Sequence, residues 1–283
     1  TSNSALSIAG LSTYTEVGKF TGSQSGGNDD FGNALAVSAD GKTIVVGAVA
    51  DELTVNGSGL AYVFDREGNN FNQVGILSAL PSNTDASDLF GYSVAISDDG
   101  KTIAVGAIGD EAPGSGSESG IVYVYDRVGS DFNRVGILTG SLASDANDNF
   151  GESVALNGDG KTLIVGAPAD ETNTVSLPGQ GVAYVFDKVG TTYTQVGILT
   201  ATVGNQDASD KFGMSVQVSS DGNTFAIAAE DDEIAGSGNF AHGLVYIFDR
   251  NGSSFDRVGV LTGTYAQDLF DDVGAIETLA LSA

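Results

Sequence analysis

The sequence predicts an all-β fold, a five-bladed β-propeller of four-stranded antiparallel blades, from two observations. First, the dipeptide Phe-Gly recurs along the chain at spacings of 59, 60, 62 and 58 residues. Its copies begin at Phe31, Phe90, Phe150 and Phe212, with Phe270-Asp271 as a degenerate fifth. Second, each unit contains four short stretches rich in β-branched and aromatic residues, and no stretch shows the 3.6-residue periodicity of a helix. A long repeat with four strands per unit is typical of a β-propeller.

The second unit illustrates the four strands, which we name A to D in chain order. They are predicted at Ser93–Ser97, Thr102–Ala107, Ile121–Asp126 and Phe132–Thr139. The link between strands A and B carries Asp99-Gly100, a tight hairpin signal, and the link between C and D is also short. The B–C and D–A connections, in contrast, differ in length and content between units.

Both termini are predicted to share the last blade, two strands each. Residues 270–283 align with strands A and B of the other units, and residues 5–9 and 14–18 supply strands C and D. This arrangement closes the ring and removes exposed sheet edges. We expect a single domain over residues 1–283. Its blades are expected at 31–89, 90–149, 150–211, 212–269, and 270–283 together with 1–30. The alternative is an open fragment of a larger propeller.

Composition excludes several classes of function. The 283 residues include 37 acidic and 11 basic side chains, a formal net charge of −26, which argues against binding to nucleic acid or to anionic membranes. No apolar run approaches the roughly 20 residues of a membrane-spanning helix. The chain has no cysteine and one histidine, so disulfides, thiolate chemistry and multi-histidine metal centres are excluded.

Two recurring motifs relate the chain to a known family. The first is the Phe-Gly pair, as in Phe90-Gly91; the second is Gly166-Ala167-Pro168 after strand B, whose counterparts Gly47-Ala48 and Gly106-Ala107 lack the proline. With these motifs the chain resembles the FG-GAP repeats of integrin α-subunit propellers and their bacterial relatives. The resemblance implies a secreted or surface-displayed propeller that binds a protein or glycan ligand. Such domains often carry calcium.

The calcium property does not carry over directly. In the family, calcium is held by an Asp-x-Asp-x-Asp-Gly-type loop between strands A and B. Here that link is only Ala39-Asp40-Gly41-Lys42 or its equivalents, too short to wrap a cation that takes 6–8 oxygen ligands. The chain therefore resembles a bacterial-type relative without the usual calcium loops.

In the predicted four-stranded meander, basic and acidic residues fall on opposite faces. The A–B and C–D turns form one face, here called the turn face, and the D–A and B–C connections form the other, the loop face. The turn face holds basic residues: Lys42, Arg66, Lys101, Arg127, Lys161, Lys188 and Arg250. The loop face holds most of the acidic residues, against Lys211 alone. The sequence therefore predicts a strongly dipolar molecule.

Two acidic positions of the loop face repeat from unit to unit. One lies two residues before each repeated Phe, and the other is the aspartate of the Asp-Glu pair that follows strand B. The members are Asp29, Asp51, Asp88, Asp110, Asp148, Asp170, Asp210, Asp232 and Asp268. Three hypotheses compete: the aspartates accept hydrogen bonds that fix their turns, they bind a divalent cation, with calcium as the candidate, or they serve solubility in a saline setting.

Residues that break the repeat are the candidates for ligand binding, because no site needs five copies of one group. Most aromatic residues occupy repeated positions, Phe20 and Phe225 being assigned to the core. Four loop-face residues remain as ligand-binding candidates: Tyr92, Phe240, His242 and Tyr265. No catalytic residue is singled out, and we do not expect an enzyme.

The function predicted is a recognition or adhesion module that binds a protein or glycan ligand through its variable acidic loop face, with or without a cation. A first alternative is a structural subunit of a surface layer or extracellular filament that associates head to tail, loop face against turn face. A second alternative is a polysaccharide-active enzyme that uses paired carboxylates near the axis.

Overall fold

The structure is a computed structural model of the chain, and it describes most of the four central repeats. The described residues are 16, 18–24, 29–51, 53, 58–79, 87–111, 119–142, 147–171, 179–201, 210–232 and 243–262. The predicted strands at 5–9 and 270–283 lie outside them, as does 14–18 except for Glu16 and Gly18. The described part contains no helix long and apolar enough to cross a lipid bilayer.

Sixteen strands form four sheets, each from four consecutive strands. Blade 1 comprises β1 (Phe31–Val37), β2 (Thr43–Ala48), β3 (Leu60–Glu67) and β4 (Asn70–Leu77). Blade 2 comprises β5 (Phe90–Ile96), β6 (Thr102–Ala107), β7 (Ile121–Val128) and β8 (Asp131–Leu138). Blade 3 comprises β9 (Ser153–Leu156), β10 (Thr162–Ala167), β11 (Val182–Val189) and β12 (Thr192–Leu199). Blade 4 comprises β13 (Phe212–Val218), β14 (Thr224–Ala229), β15 (Leu244–Asn251) and β16 (Ser254–Thr262).

Every sheet is an antiparallel meander in which each strand pairs with the next one along the chain. The prediction of four strands per repeat is thus confirmed for four repeats. Strand A begins earlier than predicted, at Phe90 in blade 2, because a bulge after Phe90 still allows that residue to pair with Ala107. The described residues therefore form an all-β array of four blades.

The core lies between adjacent blades rather than inside any one of them, because a single four-stranded sheet has no second layer to pack on. The repeated Phe90 is fully buried and packs edge-on against Tyr125 of the same blade, 6.4 Å between ring centroids. Leu77 of β4 belongs to the same buried cluster as Phe90, although it comes from the preceding blade. The predicted core residue Phe225 is fully buried. The other predicted core residue, Phe20, lies outside the strands, is half-buried and stacks on Phe71 of β4.

A close approach of two glycines joins each described blade to the next. Gly106, at the end of β6, faces the backbone of Gly151 in blade 3, and a Cβ at Gly106 would overlap the Gly151 carbonyl oxygen. Gly151 itself has φ of +96°, a conformation that only glycine adopts without strain. The same pairing recurs between Gly47 and Gly91 and between Gly166 and Gly213. The two signature glycines of the repeat thus meet across the joint between blades.

Ion pairs on the turn face form a second link between blades. Arg127 of blade 2 binds Asp65 of blade 1 through two hydrogen bonds of 2.7 and 2.5 Å. Lys188 reaches Asp126 at 2.6 Å in the same manner. Arg250 of blade 4 binds Asp187 of blade 3 bidentately. Each accepting aspartate also takes a hydrogen bond from a threonine of its own blade, such as Thr43 on Asp65 at 3.1 Å.

The turn face is consequently not the basic surface that the sequence predicted. Besides the three inter-blade pairs, Lys42, Lys101 and Lys161 each form an ion pair with the aspartate of their own A–B turn. The expectation of a strong dipole overlooked aspartates at the ends of strand C and in the A–B turns. These aspartates neutralise six of the seven basic residues assigned to that face.

Blades 1 and 4 present apolar side chains that the other blades bury. Leu77, Leu138 and Leu199 of strand D are at most 7% exposed, whereas the equivalent Leu261 of blade 4 is 60% exposed. Leu35 of blade 1 is 65% exposed, although its counterpart Val216 is 2% exposed. These two surfaces flank the position at which a fifth blade would stand.

The glycine contact predicts a sharp difference between two substitutions in blade 2. Gly106→Ala should lower the free energy of unfolding by about 2–3 kcal/mol or more, because the new methyl group meets rigid backbone across the joint. Gly136→Ala should change it by less than about 1 kcal/mol, because there a Cβ would lie 3.4 Å from Val124, an ordinary contact. Urea unfolding followed by circular dichroism measures both. Equal stabilities of the two variants would contradict the role assigned to the joint.

Candidate functional site

The innermost strands of the four blades surround one cavity of about 580 Å³. Strands β1, β5, β9 and β13 all contribute to it, because strand A of every blade lies nearest the centre. Hydroxyl groups tie these strands together: Ser93 donates to the carbonyl of Gly151 at 2.7 Å and Ser153 to that of Gly213 at 2.8 Å. We call this space the axial cavity.

The residue directly after each Phe-Gly pair lines the axial cavity and differs in every blade. These residues are Asn33, Tyr92, Glu152 and Met214. The Tyr92 hydroxyl donates a hydrogen bond to Glu152 Oε1 at 2.9 Å, and Asn33 Nδ2 donates to the Tyr92 carbonyl at 3.0 Å. A position that varies within an otherwise repeated strand, and faces a cavity, is where a binding site would be built.

A second group of repeat-breaking residues comes from blade 4. Lys211 forms ion pairs with Glu230 at 3.3 Å and with Asp231 at 2.9 Å. Positions equivalent to Glu230 hold Val49, Ile108 and Pro168 in the other blades, so the scaffold itself does not require a charge there. The residue before the repeated Phe has a left-handed φ in every described blade, and in blade 4 it is Lys211, with φ of +55°.

The electrostatics of the two groups are coupled. Burial raises the pKa of Glu152 above its usual range, and the nearby Glu230 adds to the rise, while the Tyr92 hydroxyl and Lys211 oppose it. A half-buried carboxyl with a raised pKa is costly to keep ionised at neutral pH. Such groups concentrate at functional sites.

The repeated aspartates after strand B are part of the scaffold. Asp110 is fully buried and accepts a hydrogen bond of 2.6 Å from the Tyr123 hydroxyl of strand C. The same pair forms between Tyr246 and Asp232 at 2.5 Å, and the pairs of Tyr62 with Asp51 and of Tyr184 with Asp170 repeat it. The Asp110 carbonyl accepts from Gly120 N at 2.9 Å, which anchors the far end of the B–C loop. The side chains of these aspartates therefore accept hydrogen bonds from a strand C tyrosine of their own blade.

Blade 2 also brings carboxylates of both repeated positions together. One oxygen each of Asp88, Asp110 and Glu111 lie within 4.8 Å of one another, and among the described residues this is the one group of that kind. Asp88 and Asp110 are fully buried and Glu111 is half-buried. Three carboxylates so close repel one another unless a cation or a proton neutralises part of the charge, and oxygen ligands at this spacing suit a hard divalent cation.

Of the four predicted ligand-binding residues, Tyr92 lies in the axial cavity. Phe240, His242 and Tyr265 lie outside the described residues, as does the candidate metal ligand Asp268. The other candidates, Asp29, Asp148, Asp170 and Asp210 among them, are described at the edge of the loop face, and all but Asp29 are buried.

Sequence reasoning missed Asn33, Glu152 and Met214, because the search for repeat-breaking residues was restricted to aromatic and histidine side chains. Aligning the units column by column would have found them, since the column after Phe-Gly contains four different residue types.

The four-bladed array with paired glycines at its joints defines a repeat protein of the β-propeller type. The sequence profile of the FG-GAP repeat family matches residues 14–64, 71–125 and 141–186. Because these segments cover more than half of the chain, the protein belongs to the FG-GAP repeat family. The predicted resemblance is thereby confirmed.

Solved structures add support for the fold alone. A candidate 6-phosphogluconolactonase from Bacteroides uniformis superposes with a TM-score of 0.52 at 13% identity over 86% of this chain and 60% of its own. The hydrazine synthase of Kuenenia stuttgartiensis gives 0.51 at 15% identity, over 87% of this chain and 53% of its own. The chain thus spans between half and two thirds of both proteins. No curated protein matches it.

The raised pKa of the half-buried Glu152 predicts a pH-dependent effect on stability. The folded state binds the Glu152 proton more tightly than the unfolded chain, so stability falls as pH rises from the unfolded pKa through the raised folded pKa. Glu152→Gln should therefore raise the melting temperature at pH 7 and leave it nearly unchanged below pH 4. The exposed Glu67→Gln serves as control and should show neither effect. A variant that melts lower than wild type at pH 7 would show that the charge stabilises the fold.

Proposed function

We propose that this protein is a secreted or surface-displayed recognition module, not an enzyme, and that it binds a protein or glycan partner through its loop face. One observation carries the proposal. The repeated residues of the chain are used at the joints, in the turns and in the tyrosine–aspartate pairs, whereas sequence variation concentrates in the D–A and B–C connections. A rigid scaffold that presents variable loops on one face is a common design for recognition.

The proposal includes a cation at the loop face, with calcium as the candidate and the blade 2 cluster as its site. The support is the convergence of Asp88, Asp110 and Glu111, two of them buried, where a divalent ion would offset their mutual repulsion. Binding to the folded state alone would stabilise the protein by about 2.7 kcal/mol at 100 times the dissociation constant.

Recognition and cation binding are tested together. The wild type and a variant with residues 112–118 replaced by a Gly-Ser segment of equal length are applied to panels of glycans and extracellular proteins, in calcium and in EDTA. We expect a ligand that the wild type retains and the loop variant loses. Retention of the same ligands by both would contradict a role for this loop.

A melting series isolates the cation. Calcium should raise the melting temperature of the wild type and of Glu171→Gln by several degrees over EDTA at fixed ionic strength, with magnesium as the comparison. Glu111→Gln should abolish most of the shift, because it removes one ligand of the cation. Glu171→Gln is the matched control, because Glu171 is the blade 3 counterpart of Glu111 and lies outside the cluster. Superimposed curves in all conditions would leave the aspartates with their scaffold role alone.

The proposed architecture is a five-bladed ring in which both termini supply the last blade. Residues 18–22 support it, because they run along blade 1 as strand D of a preceding blade would. A Cβ at Gly18 would lie 2.9 Å from the Phe71 ring, as one at Gly75 would lie 2.6 Å from the Phe132 ring. The exposed Leu261 and Leu35 also suit a missing neighbour.

Removal of residues 263–283 tests this architecture. If they cover the exposed side of blade 4, their deletion should lower the melting temperature by several degrees and increase binding of a hydrophobic dye. Replacement of the same residues by a Gly-Ser segment should have the same effect. An unchanged melting curve would favour the alternative, an open array that belongs to a larger propeller.

The two other functions have weaker support. Head-to-tail stacking into a surface layer or filament needs a basic face, and the ion pairs of the turn face neutralise most of it. A polysaccharide-active enzyme could use Glu152, whose raised pKa suits a general acid. The lactonase similarity concerns the fold alone. Turnover of a polysaccharide by the wild type and its loss in Glu152→Gln would establish that alternative.

A further inference from the structure

We propose that the axial cavity binds a small organic ammonium ion, an amine with a short apolar body. The proposal does not depend on recognition at the loop face. It concerns the axial cavity between the innermost strands, whereas the loop-face proposal concerns the variable parts of the D–A and B–C connections. It stands on the donors and acceptors of the cavity wall, on the charge around it and on its apolar lining.

Most polar side chains of the cavity wall already donate to other protein groups. Asn33 donates to a backbone carbonyl, the Tyr92 hydroxyl donates to Glu152, and the Ser93 and Ser153 hydroxyls donate to glycine carbonyls. These four residues donate to other protein groups, and Gln217 adds a half-buried amide to the wall, while the Glu152 carboxylate has capacity for further hydrogen bonds beyond the one from Tyr92. The wall therefore suits a ligand that brings its own donors, as an ammonium group does.

The charge around the cavity favours a cation. Glu152 lines the cavity, and Glu230 is near enough to raise its pKa further, while Lys211 acts on it in the opposite direction. Lys211 is itself paired with both Glu230 and Asp231, so the group as a whole carries more negative than positive charge. A bound cation would offset the cost of keeping the half-buried Glu152 ionised.

The apolar residues of the lining favour a ligand whose ammonium group carries a short alkyl chain. Val94, Val154, Val216 and Met214 line the cavity beside the polar residues. Its volume of about 580 Å³ lies in the range of small-molecule sites. In a chain without tryptophan, a sugar would find a poor stacking surface there. An alkyl chain would instead pack on the partly exposed Val94 and Met214 with its ammonium at Glu152.

The chain contains a built-in probe for this site, because Met214 is its single methionine. The Met214 methyl group, labelled with carbon-13, reports on the cavity by NMR. Titration with n-butylamine at pH 7 and constant ionic strength should shift this signal in a saturable manner. Neutral 1-butanol and anionic butyrate should require at least tenfold higher concentrations, because neither supplies a cation to Glu152.

Two variants separate the site from the general acidity of the protein. Glu152→Gln should weaken the binding of n-butylamine at least tenfold without loss of fold, checked by its melting curve, whereas Glu67→Gln should bind as the wild type does. Equal affinity for n-butylamine and 1-butanol, equal affinity of Glu152→Gln and wild type, or the absence of saturation would each overturn the proposal. Saturation by glucose in place of the amine would also overturn it. The loop variant at 112–118 should keep the n-butylamine response, so that failure of loop-face recognition is distinguishable from failure of this site.

Discussion

The approach of two glycines across each joint is the constraint on which the rest of the structure depends. In blade 2, Gly106 lets the Gly151 backbone of blade 3 come closer than any side chain would allow, and Gly151 in turn needs its left-handed conformation to enter the joint. The distance between blades follows from this contact. The packing of Leu77 against Phe90, the hydrogen bonds between innermost strands and the width of the axial cavity all depend on that distance.

Charge in this protein is organised pair by pair rather than face by face. On the turn face, Arg127 neutralises an aspartate of the preceding blade and Lys101 one of its own turn. Near the loop face, a buried aspartate such as Asp110 is held by a phenol. Many of the 37 acidic residues thus have a structural task, and a net charge of −26 says little about which of them could meet a ligand.

The fold could be predicted from the sequence because each strand and turn has a local sequence pattern, and that pattern recurs in every repeat. Thr102–Ala107 was predicted to the residue, since β-branched residues lie between Asp99-Gly100 and a second glycine. The charge distribution could not be predicted from the sequence, because the partner of Arg127 is Asp65, which lies 62 residues away in another blade. Glu152 could have been found from the sequence, because it occupies the variable column after Phe-Gly, but its contact with Tyr92 of another blade could not.

The glycine joint also has a consequence for the cooperativity of the molecule. At the end of β14 the chain has Ala228 where the other blades have glycine, and the fifth Phe-Gly copy reads Phe270-Asp271. The joint that would follow blade 4 thus lacks both glycines. In a repeat protein, stability is approximately the sum of unit and interface contributions, so a fifth blade packed at that position would be held less tightly than the three described joints hold their blades. On heating, such a blade would separate from blade 4 before the described blades separate from one another.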